Sequence, residues 1–203
     1  GEGKCHVTDV FFTDRLAAAP DYEDLPHYEF DLEKAKELMT EAGYPDGFTL
    51  EEPVRILADQ EKVAVALQQQ LSEIGITYNI EILEDNTLFS NYLFVNAYNM
   101  MPFRLSTETY DMAYIGGFYD MNSAMPNMTG YANAEISDML VEASRSSNIE
   151  ERKEIYTEIF TILADELPIC PILVSMGAEV SNSNLVNDDS VYPELHGINL
   201  HWK

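Results

Sequence analysis

Apolar residues recur at three- and four-residue spacing near the start of the chain, and this spacing predicts an amphipathic helix. The segment is FDLEKAKELMTEAGYPDGFTL, residues 30–50, and its apolar stripe consists of Ala35, Leu38, Met39 and Ala42. Asp31 can cap the helix, because its carboxylate can accept hydrogen bonds from the first backbone N–H groups. Gly43 suits the position after the last turn, and the Pro45-Asp46-Gly47 turn leads into a strand that begins at residues 48–50.

The same order of helix and strand occurs again in residues 59–82. The apolar stripe of this second helix consists of Val63, Leu67, Leu71 and Ile74, and Gly75 follows its last turn. Residues 76–82 then alternate between apolar and polar, as a half-buried strand does. Because the two strands are joined through a helix, they are predicted to pair in parallel through a right-handed crossover. The pattern predicts an α/β fold with a mostly parallel sheet flanked by helices.

The middle of the chain is rich in aromatic residues and methionine, and its pattern is less regular. Residues 87–104 predict one helix that ends in a loop at Met101-Pro102. As a strand, residues 110–117 would place Tyr110 and Tyr114 on one face, where packing into the core is favoured over a place in a binding cleft. Residues 118–130 have no clear periodicity and predict a long loop.

Two helices and a short apolar run follow. Asn133 starts the first helix, whose inward residues are Ile136, Met139, Leu140 and Ala143. Asn148 and Glu151 have the spacing of a capping box at the start of the second helix. Its inward residues are Ile155, Ile159, Ile162 and Leu163. Two prolines bracket the region before the apolar run 172–174.

These segments resemble, in the same order, a known family of receptors. Residues 30–50 closely resemble the signature Y-D-x-E-K-A-K-x-L-L-x-E-A-G-Y-P-D-G-F of the extracellular solute-binding proteins that serve dipeptide, oligopeptide and nickel ABC importers. Residues 63–83, VAVALQQQLSEIGITYNIEIL, are similar to A-x-x-L-Q-x-x-L-x-x-I-G-I-x-V-x-I, and residues 110–117 are similar to Y-D-x-x-x-x-G-W. The resemblance extends to the proline-bracketed run near residue 175.

The resemblance implies a fold and a division of the chain. In that family the signature opens the C-terminal lobe of a two-lobed receptor, so residues 1–203 are expected to form one type II periplasmic-binding-protein-like lobe, excised from a longer protein. Residues 1–27 would be an irregular lead-in from the missing N-terminal lobe, and residues 28–178 the α/β core. The tail 179–203 would return toward the missing lobe, and here it would hang free or pack non-natively.

The resemblance also implies a function. The expected role is capture of a small solute, a peptide first of all, outside the cell or in the periplasm, with ABC permease subunits as partners. The full-length protein would be anchored as a lipoprotein, and neither enzymatic activity nor a cofactor is expected. The alternatives are a receptor for a nickel chelate, a glycan or another non-peptide solute, and a sensor or scaffold lobe that binds another protein.

In peptide-binding members, an acidic residue in the loop after the G-W strand pairs with the α-ammonium group of the ligand. Asp120 is the acid in the matching loop here, and a solvated aspartate is the alternative reading. The ligand-binding set that we predict around it consists of Phe118, Tyr119, Asp120, Met121 and Asn122, with Tyr119 expected to be exposed.

The loop departs from the family pattern where specificity would be set. Phe118 stands where tryptophan is usual, Asp120 lies one position early, and Ala124-Met125-Pro126 occurs near the position of the usual acid–proline pair. The methionines Met121, Met125 and Met128 suit either a permissive pocket or packing of the loop onto the lobe. Arg104 could bind a ligand carboxylate, although a surface ion pair is the favoured interpretation.

Composition excludes several other classes of function. The net charge of −25, with eleven basic residues, argues against binding to nucleic acid. The four histidines lack metal-ligand spacing, and no GxSxG, P-loop or dinucleotide-binding glycine pattern occurs. Cys5 and Cys170 are predicted to be solitary thiols, with a long-range disulfide as the alternative.

Overall fold

The structure is a computed structural model of the 203-residue chain. It describes residues 5–104, 110–123, 128–175, 182, 184–187 and 200–202. The chain divides into two compact units. One unit consists of Gly1–Asp9 and Pro171–Lys203, and the other is Val10–Cys170.

The unit formed by both ends of the chain contains two antiparallel strand pairs. Strand β1 (Cys5–Val7) pairs with β6 (Leu173–Ser175), which includes most of the predicted apolar run. Strand β7 (Leu185–Asn187) pairs with β8 (Leu200–Trp202). The tail that was expected to hang free or pack non-natively therefore contains a pair of strands.

The unit Val10–Cys170 begins its regular structure with the predicted helix–strand repeats. Helix α1 is Leu32–Glu41, β2 is Phe48–Thr49, β3 is Val54–Ile56, α2 is Glu61–Ser72, β4 is Ile76–Thr77 and β5 is Ile80–Ile82. A short 3₁₀ turn, Ala58–Gln60, precedes α2. Strand β2 pairs with β4 and β3 with β5, and both pairs are parallel, which confirms the predicted pairing.

The local signals of these repeats act as predicted. The Asp31 carboxylate accepts a 2.9 Å hydrogen bond from the Lys34 N–H and so caps α1. Gly47 and Gly75 have φ of +76° and +82°, and their backbones meet where β2 and β4 begin. A Cβ on Gly47 would lie 2.1 Å from the Gly75 carbonyl oxygen, so this approach requires glycine.

The middle of the chain differs from the prediction. In place of one helix over 87–104, a short helix α3 (Asp85–Leu88) continues into one π-helical turn, Phe89–Leu93, and Asn96 has a left-handed φ of 52° soon afterwards. In place of a strand over 110–117, Met112–Ile115 forms a 3₁₀ turn. In place of a loop from residue 118, helix α4 covers Gly116–Tyr119.

Two longer helices complete this unit. Helix α5 is Ala134–Arg145, and the Asn133 side chain accepts hydrogen bonds from the Glu135 and Ile136 N–H groups. Helix α6 is Ile149–Glu166, and Asn148 caps it through the Glu150 N–H. The predicted capping box does not close as expected, because the Asn148 N–H donates to Ser146 Oγ, which in turn donates to the Glu151 carboxylate.

Most of the buried hydrophobic side chains described in this unit fall into two groups. The larger group, here called the helical core, contains residues of α4, α5, α6, the 3₁₀ turn before α4 and the segment 10–25: Phe12, Leu16, Ala18, Leu25, Met112, Ile115, Phe118, Tyr119, Ile136, Leu140, Ala143, Tyr156, Ile159, Phe160 and Leu163. The smaller group, here called the strand core, contains Val54, Ile56, Ala64 and Tyr78.

Residues 10–27 belong with the core. Expected as part of a lead-in, they are mostly irregular apart from a short 3₁₀ turn, Tyr22–Asp24. Phe12 and Leu16 are nevertheless buried in the helical core, and Ala17 bridges to Asp111 in parallel. The compact unit therefore starts at Val10 and not at the predicted residue 28.

Candidate functional site

The segment that precedes the candidate site is held by a partly buried ion pair between Asp111 and Arg152. The Asp111 carboxylate accepts a 2.8 Å hydrogen bond from the Ala113 N–H, which starts the 3₁₀ turn. The same carboxylate accepts two hydrogen bonds from the Arg152 guanidinium of α6, one of them 2.8 Å long. Hydrogen bonding to Arg152 lowers the pKa of Asp111. The guanidinium carbon lies 5.8 Å from the centre of the Tyr156 ring.

Phe118 and Tyr119 lie in the helical core and do not line a cleft. Phe118 is 7% exposed and packs edge-to-face on Phe11 at 5.2 Å between ring centroids. Tyr119 is 2% exposed and packs edge-to-face on Tyr131 at 6.2 Å. The predicted exposure of Tyr119 is wrong, because the helical turn of α4 directs both aromatic rings inward. Burial also raises the pKa of the Tyr119 hydroxyl.

Core packing is confirmed for Tyr114. Its hydroxyl donates a 2.6 Å hydrogen bond to the Phe11 carbonyl, and burial raises its pKa to about 12. The ring also packs against Phe118 at 6.3 Å. Phe11, which is distant in sequence, thus contacts the aromatic residues of the segment that ends at Asp120.

Asp120 is half-buried and comes directly after α4. Its N–H donates to the Gly116 carbonyl, and its carboxylate oxygen Oδ1 accepts a 2.8 Å hydrogen bond from the Asn122 N–H. The Asp120 carbonyl also accepts from the Ser123 N–H at 3.1 Å, which closes a tight turn. Within the described residues, the other carboxylate oxygen, Oδ2, accepts no hydrogen bond.

A half-open cavity of about 270 Å³ lies beside Asp120. Its lining residues come from the turn before α4, from α4 and the following loop, from α5 and from α6: Ala113, Gly116, Gly117, Asp120, Ser123, Leu140, Val141, Ser144 and Tyr156. Asp120 is the one charged side chain in this lining. The Ser144 hydroxyl donates to the Val141 carbonyl at 2.7 Å, so its oxygen can still accept a hydrogen bond. The cavity therefore offers hydrogen-bond acceptors, and one negative charge, to a cationic group.

The other predicted loop residues lie outside this lining. Met121 and Asn122 are exposed beside Asp120, and the Met121 N–H donates a 3.0 Å hydrogen bond to Ser137 Oγ on α5. Met128 packs against the helical core, which favours packing for that residue. Met125 and the proline after it lie outside the described residues.

Three residues of the site come from parts of the sequence with no chemical motif: Ser137, Ser144 and Tyr156. Ser137 is 1% exposed in the middle of an apolar helix face, and this position was the one available signal. A small polar residue buried in a helix needs a hydrogen-bond partner, which here is the loop backbone.

The other candidate chemical groups do not line the Asp120 cavity. A larger open groove of about 660 Å³ along α6 is lined by Asp21, Asp24, Glu150, Lys153, Glu154, Thr157, Glu158, Thr161 and Ile162, and it includes no predicted site residue. Arg104 lies 3.4 Å from the Asp59 carboxylate in an exposed ion pair, as favoured. Cys5 and Cys170 are both thiols and form no disulfide.

The described part of the chain contains neither a metal-binding cluster nor a membrane-spanning helix. No group of three or more histidine, cysteine, aspartate or glutamate side chains there is placed to hold a metal ion. Of the helices in the same ranges, none combines the length and the apolar character required to cross a membrane.

Comparison with known proteins places the chain in a family. The family model described as "Bacterial extracellular solute-binding proteins, family 5 Middle" matches residues 2–137. The glutathione-binding protein GsiB of Salmonella choleraesuis (strain SC-B67) is 27% identical over 184 residues, which cover 84% of this chain and 34% of GsiB. The chain thus spans about a third of the length of the curated relatives that it matches.

Solved structures show the same fold. The periplasmic binding protein DppA of Helicobacter pylori, in complex with the peptide STSA, has a TM-score of 0.76 at 23% identity, with 92% of this chain and 36% of DppA covered. The PBP AgaA of A. tumefaciens R10, in complex with agropinic acid, has a TM-score of 0.74 at 20% identity, with 86% of this chain and 36% of AgaA covered.

The fold is that of an α/β lobe of the kind found in these periplasmic binding proteins. The family match extends over more than half of the residues. The chain belongs to the bacterial extracellular solute-binding proteins of family 5.

Proposed function

We propose that the protein captures small solutes with a free ammonium group, peptides above all, outside the cell for an ABC importer. The observation that carries this proposal is the position of Asp120. It is the one charged side chain lining a half-open cavity, and its Oδ2 accepts no hydrogen bond from the described residues. A ligand ammonium group would supply the missing donor.

The strength of such a contact follows from its surroundings. A hydrogen bond between an ammonium group and a carboxylate is about twice as strong as a neutral one. In a half-buried cavity it is also screened less by solvent than it would be on an open surface. The Ser144 oxygen lines the same cavity and is a second acceptor for an N–H donor of the ligand.

The family supports the choice of peptides. GsiB is named for glutathione, and the DppA structure holds the peptide STSA. AgaA holds agropinic acid, so the fold alone does not define the ligand. A nickel chelate or a glycan would need no carboxylate partner for an ammonium group, and a sensor or scaffold role would need no small ligand at all.

The curated relatives are about three times as long as this chain. We propose that the rest of the full-length protein forms a second lobe, which closes over the ligand by a hinge motion and excludes water. This chain alone would then bind ligand weakly, since half of the contacts are missing. The full-length protein would be a membrane-anchored lipoprotein that delivers its ligand to ABC permease subunits.

The test is calorimetry of the full-length protein with dipeptides and with the same dipeptides N-acetylated, after mass spectrometry of any ligand that copurifies. N-acetylation and the substitution Asp120→Asn should each weaken binding by roughly 10- to 100-fold, because each removes one partner of a charge-assisted hydrogen bond. Asp138→Asn is the matched control, since Asp138 is exposed on α5 and does not line the cavity.

Three results would count against the proposal. Equal affinity for free and acetylated peptides would show that the ammonium group makes no contact that contributes to binding. If Asp120→Asn leaves the affinity unchanged while N-acetylation of the peptide still weakens binding, the ammonium group contacts a residue other than Asp120. Binding of a nickel chelate or a glycan without any peptide would favour the alternative class of ligand.

A further inference from the structure

Two glycines of α4, Gly116 and Gly117, line the cavity beside Asp120. Gly116 has φ of −54° and ψ of −32°, which any residue can adopt in a helix. Among the described residues, a Cβ placed on either glycine would meet no atom within 4 Å outside its own helical turn and chain neighbours. Neither glycine is therefore required by backbone conformation or by close packing in the unliganded protein.

The contrast with Gly47 and Gly75 makes this plain. Those two have positive φ and face each other so closely that a Cβ on either would overlap the partner's backbone. Gly116 and Gly117 instead occupy a helical turn, where glycine is less favourable than alanine. Their one evident effect is to leave bare backbone on the wall of the cavity.

The size of the cavity limits what can lie against that wall. Its volume of about 270 Å³ is slightly below the ~300–1,000 Å³ of typical small-molecule pockets. It can hold an ammonium group and the residue that carries it, but not a whole peptide. The apolar part of the lining, Leu140 and Val141, suits the side chain of such a residue.

We infer that Gly116 and Gly117 are specificity-determining positions: the N-terminal residue of a bound peptide packs on their bare backbone while its ammonium group binds Asp120. This inference rests on the proposed function and deepens it by assigning the first residue of the peptide to this cavity. A side chain at either glycine would occupy the space of that first residue, and the conflict would grow with the size of the residue.

The experiment is calorimetry of the full-length wild type, Gly116→Ala, Gly117→Ala and Gly117→Val with Gly-Leu, Ala-Leu, Leu-Leu and Phe-Leu. Gly117→Ala should weaken binding of Phe-Leu and Leu-Leu by about tenfold and leave Gly-Leu nearly unchanged, since the added methyl competes with the larger first residues. Gly117→Val should widen this difference. Thermal unfolding of each variant without peptide should show a midpoint equal to that of the wild type or higher for the alanine variants.

The outcomes separate this inference from the proposed function. Equal affinities of wild type and glycine variants for all four peptides, with Asp120→Asn still weakening every one, would overturn the inference and leave the proposed function standing. A loss of the same size for all four peptides would also overturn it. Failure of all four peptides to bind the wild type would overturn both.

Discussion

The strand core and the helical core of the unit Val10–Cys170 differ greatly in the number of side chains that they bury. Among the described residues, the helical core contains fifteen buried side chains and the strand core four. Helix α1, which precedes the strands, has no buried residue, and Leu38 on its apolar stripe is 51% exposed. Asp120 and its cavity belong to the helical side, because α4, α5 and α6 supply most of the lining.

This difference indicates which parts of the protein are rigid and which can open locally. A side chain surrounded by many buried neighbours cannot move without disturbing them, whereas a region with few buried contacts opens at a lower free energy. We therefore expect the helices and strands around the strand core to open locally while the region around Asp120 stays folded. The predictions below test this expectation, from the largest effect to the smallest.

The largest effect is expected from truncating isoleucines that are fully buried in each core. Ile159 and Ile56 both have 0% exposure. Ile159→Ala should lower the free energy of unfolding by about 4 kcal/mol and Ile56→Ala by about 2 kcal/mol, because the smaller core can collapse more easily around the gap. Urea unfolding followed by circular dichroism measures both values. Equal losses would show that the two cores are equally well packed.

The same glycine-to-alanine change should have opposite signs in the two regions. Gly47→Ala should destabilise the chain by about 2–3 kcal/mol, since the new Cβ would overlap the Gly75 backbone at a positive φ. Gly116→Ala should stabilise it by about 0.5–1 kcal/mol, as is usual for a helical glycine with open space around it. Thermal unfolding of the unliganded chain decides this, and a loss of stability in Gly116→Ala would contradict it.

Each region also contains an arginine that binds carboxylate side chains and lies near a tyrosine ring. Arg152 binds Asp111 and lies over Tyr156, whereas Arg55 binds Glu52 and Glu81 and lies 4.1 Å from the Tyr92 ring centre. Arg152→Met should cost about 2 kcal/mol, because it leaves the half-buried Asp111 carboxylate without its partner.

Arg55→Met should cost about 1 kcal/mol or less, because the carboxylates of Glu52 and Glu81 are 62% and 45% exposed and can return to water. Chemical unfolding at neutral pH measures both variants. Lys153→Met is a useful control, since its ion pair with Asp21 is on the surface and its loss should be undetectable. A larger loss for Arg55→Met than for Arg152→Met would reverse the comparison.

The smallest effect is a pH dependence. Because Arg152 lowers the pKa of Asp111 in the folded state below its ordinary value of 3.8, the folded state binds this proton less readily than the unfolded chain. The resulting stability is present above the unfolded pKa and is lost as pH falls through the lower folded pKa. Between pH 5 and 2, the free energy of unfolding should therefore fall less steeply in Asp111→Asn than in the wild type. Parallel curves would contradict this assignment.

The helix–strand repeats could be predicted from the sequence because the sequence signals that define them are local. The spacing in α1 and α2, the cap at Asp31 and the turn glycines each act within a few residues of themselves. Parallel pairing followed from the order of the elements. The depth of burial did not follow, since an amphipathic pattern shows which face is apolar and not how much of that face is covered.

The site region could not be predicted in the same way because its determinants are distant in sequence. The resemblance of residues 110–117 to the family's Y-D-x-x-x-x-G-W segment indicated a strand, but Asp111 caps a 3₁₀ turn there and Arg152 holds the cap from α6. The backbone carbonyl of Phe11, more than a hundred residues away, accepts a hydrogen bond from the Tyr114 hydroxyl. The position of Asp120 could be predicted as a candidate, whereas its neighbours Ser144 and Tyr156 could not.

If Asp120 binds an ammonium group as proposed, the hydrogen bond from the Met121 N–H to Ser137 Oγ affects the thermodynamics of that binding. Ser137 is buried on α5, so the backbone next to Asp120 is fastened to a helix before any ligand arrives. A preorganised acceptor loses little conformational entropy on association, and more of its interaction energy remains as affinity. Ser137→Ala should therefore weaken binding by making the entropy of association less favourable, while the enthalpy of the ammonium contact stays nearly the same.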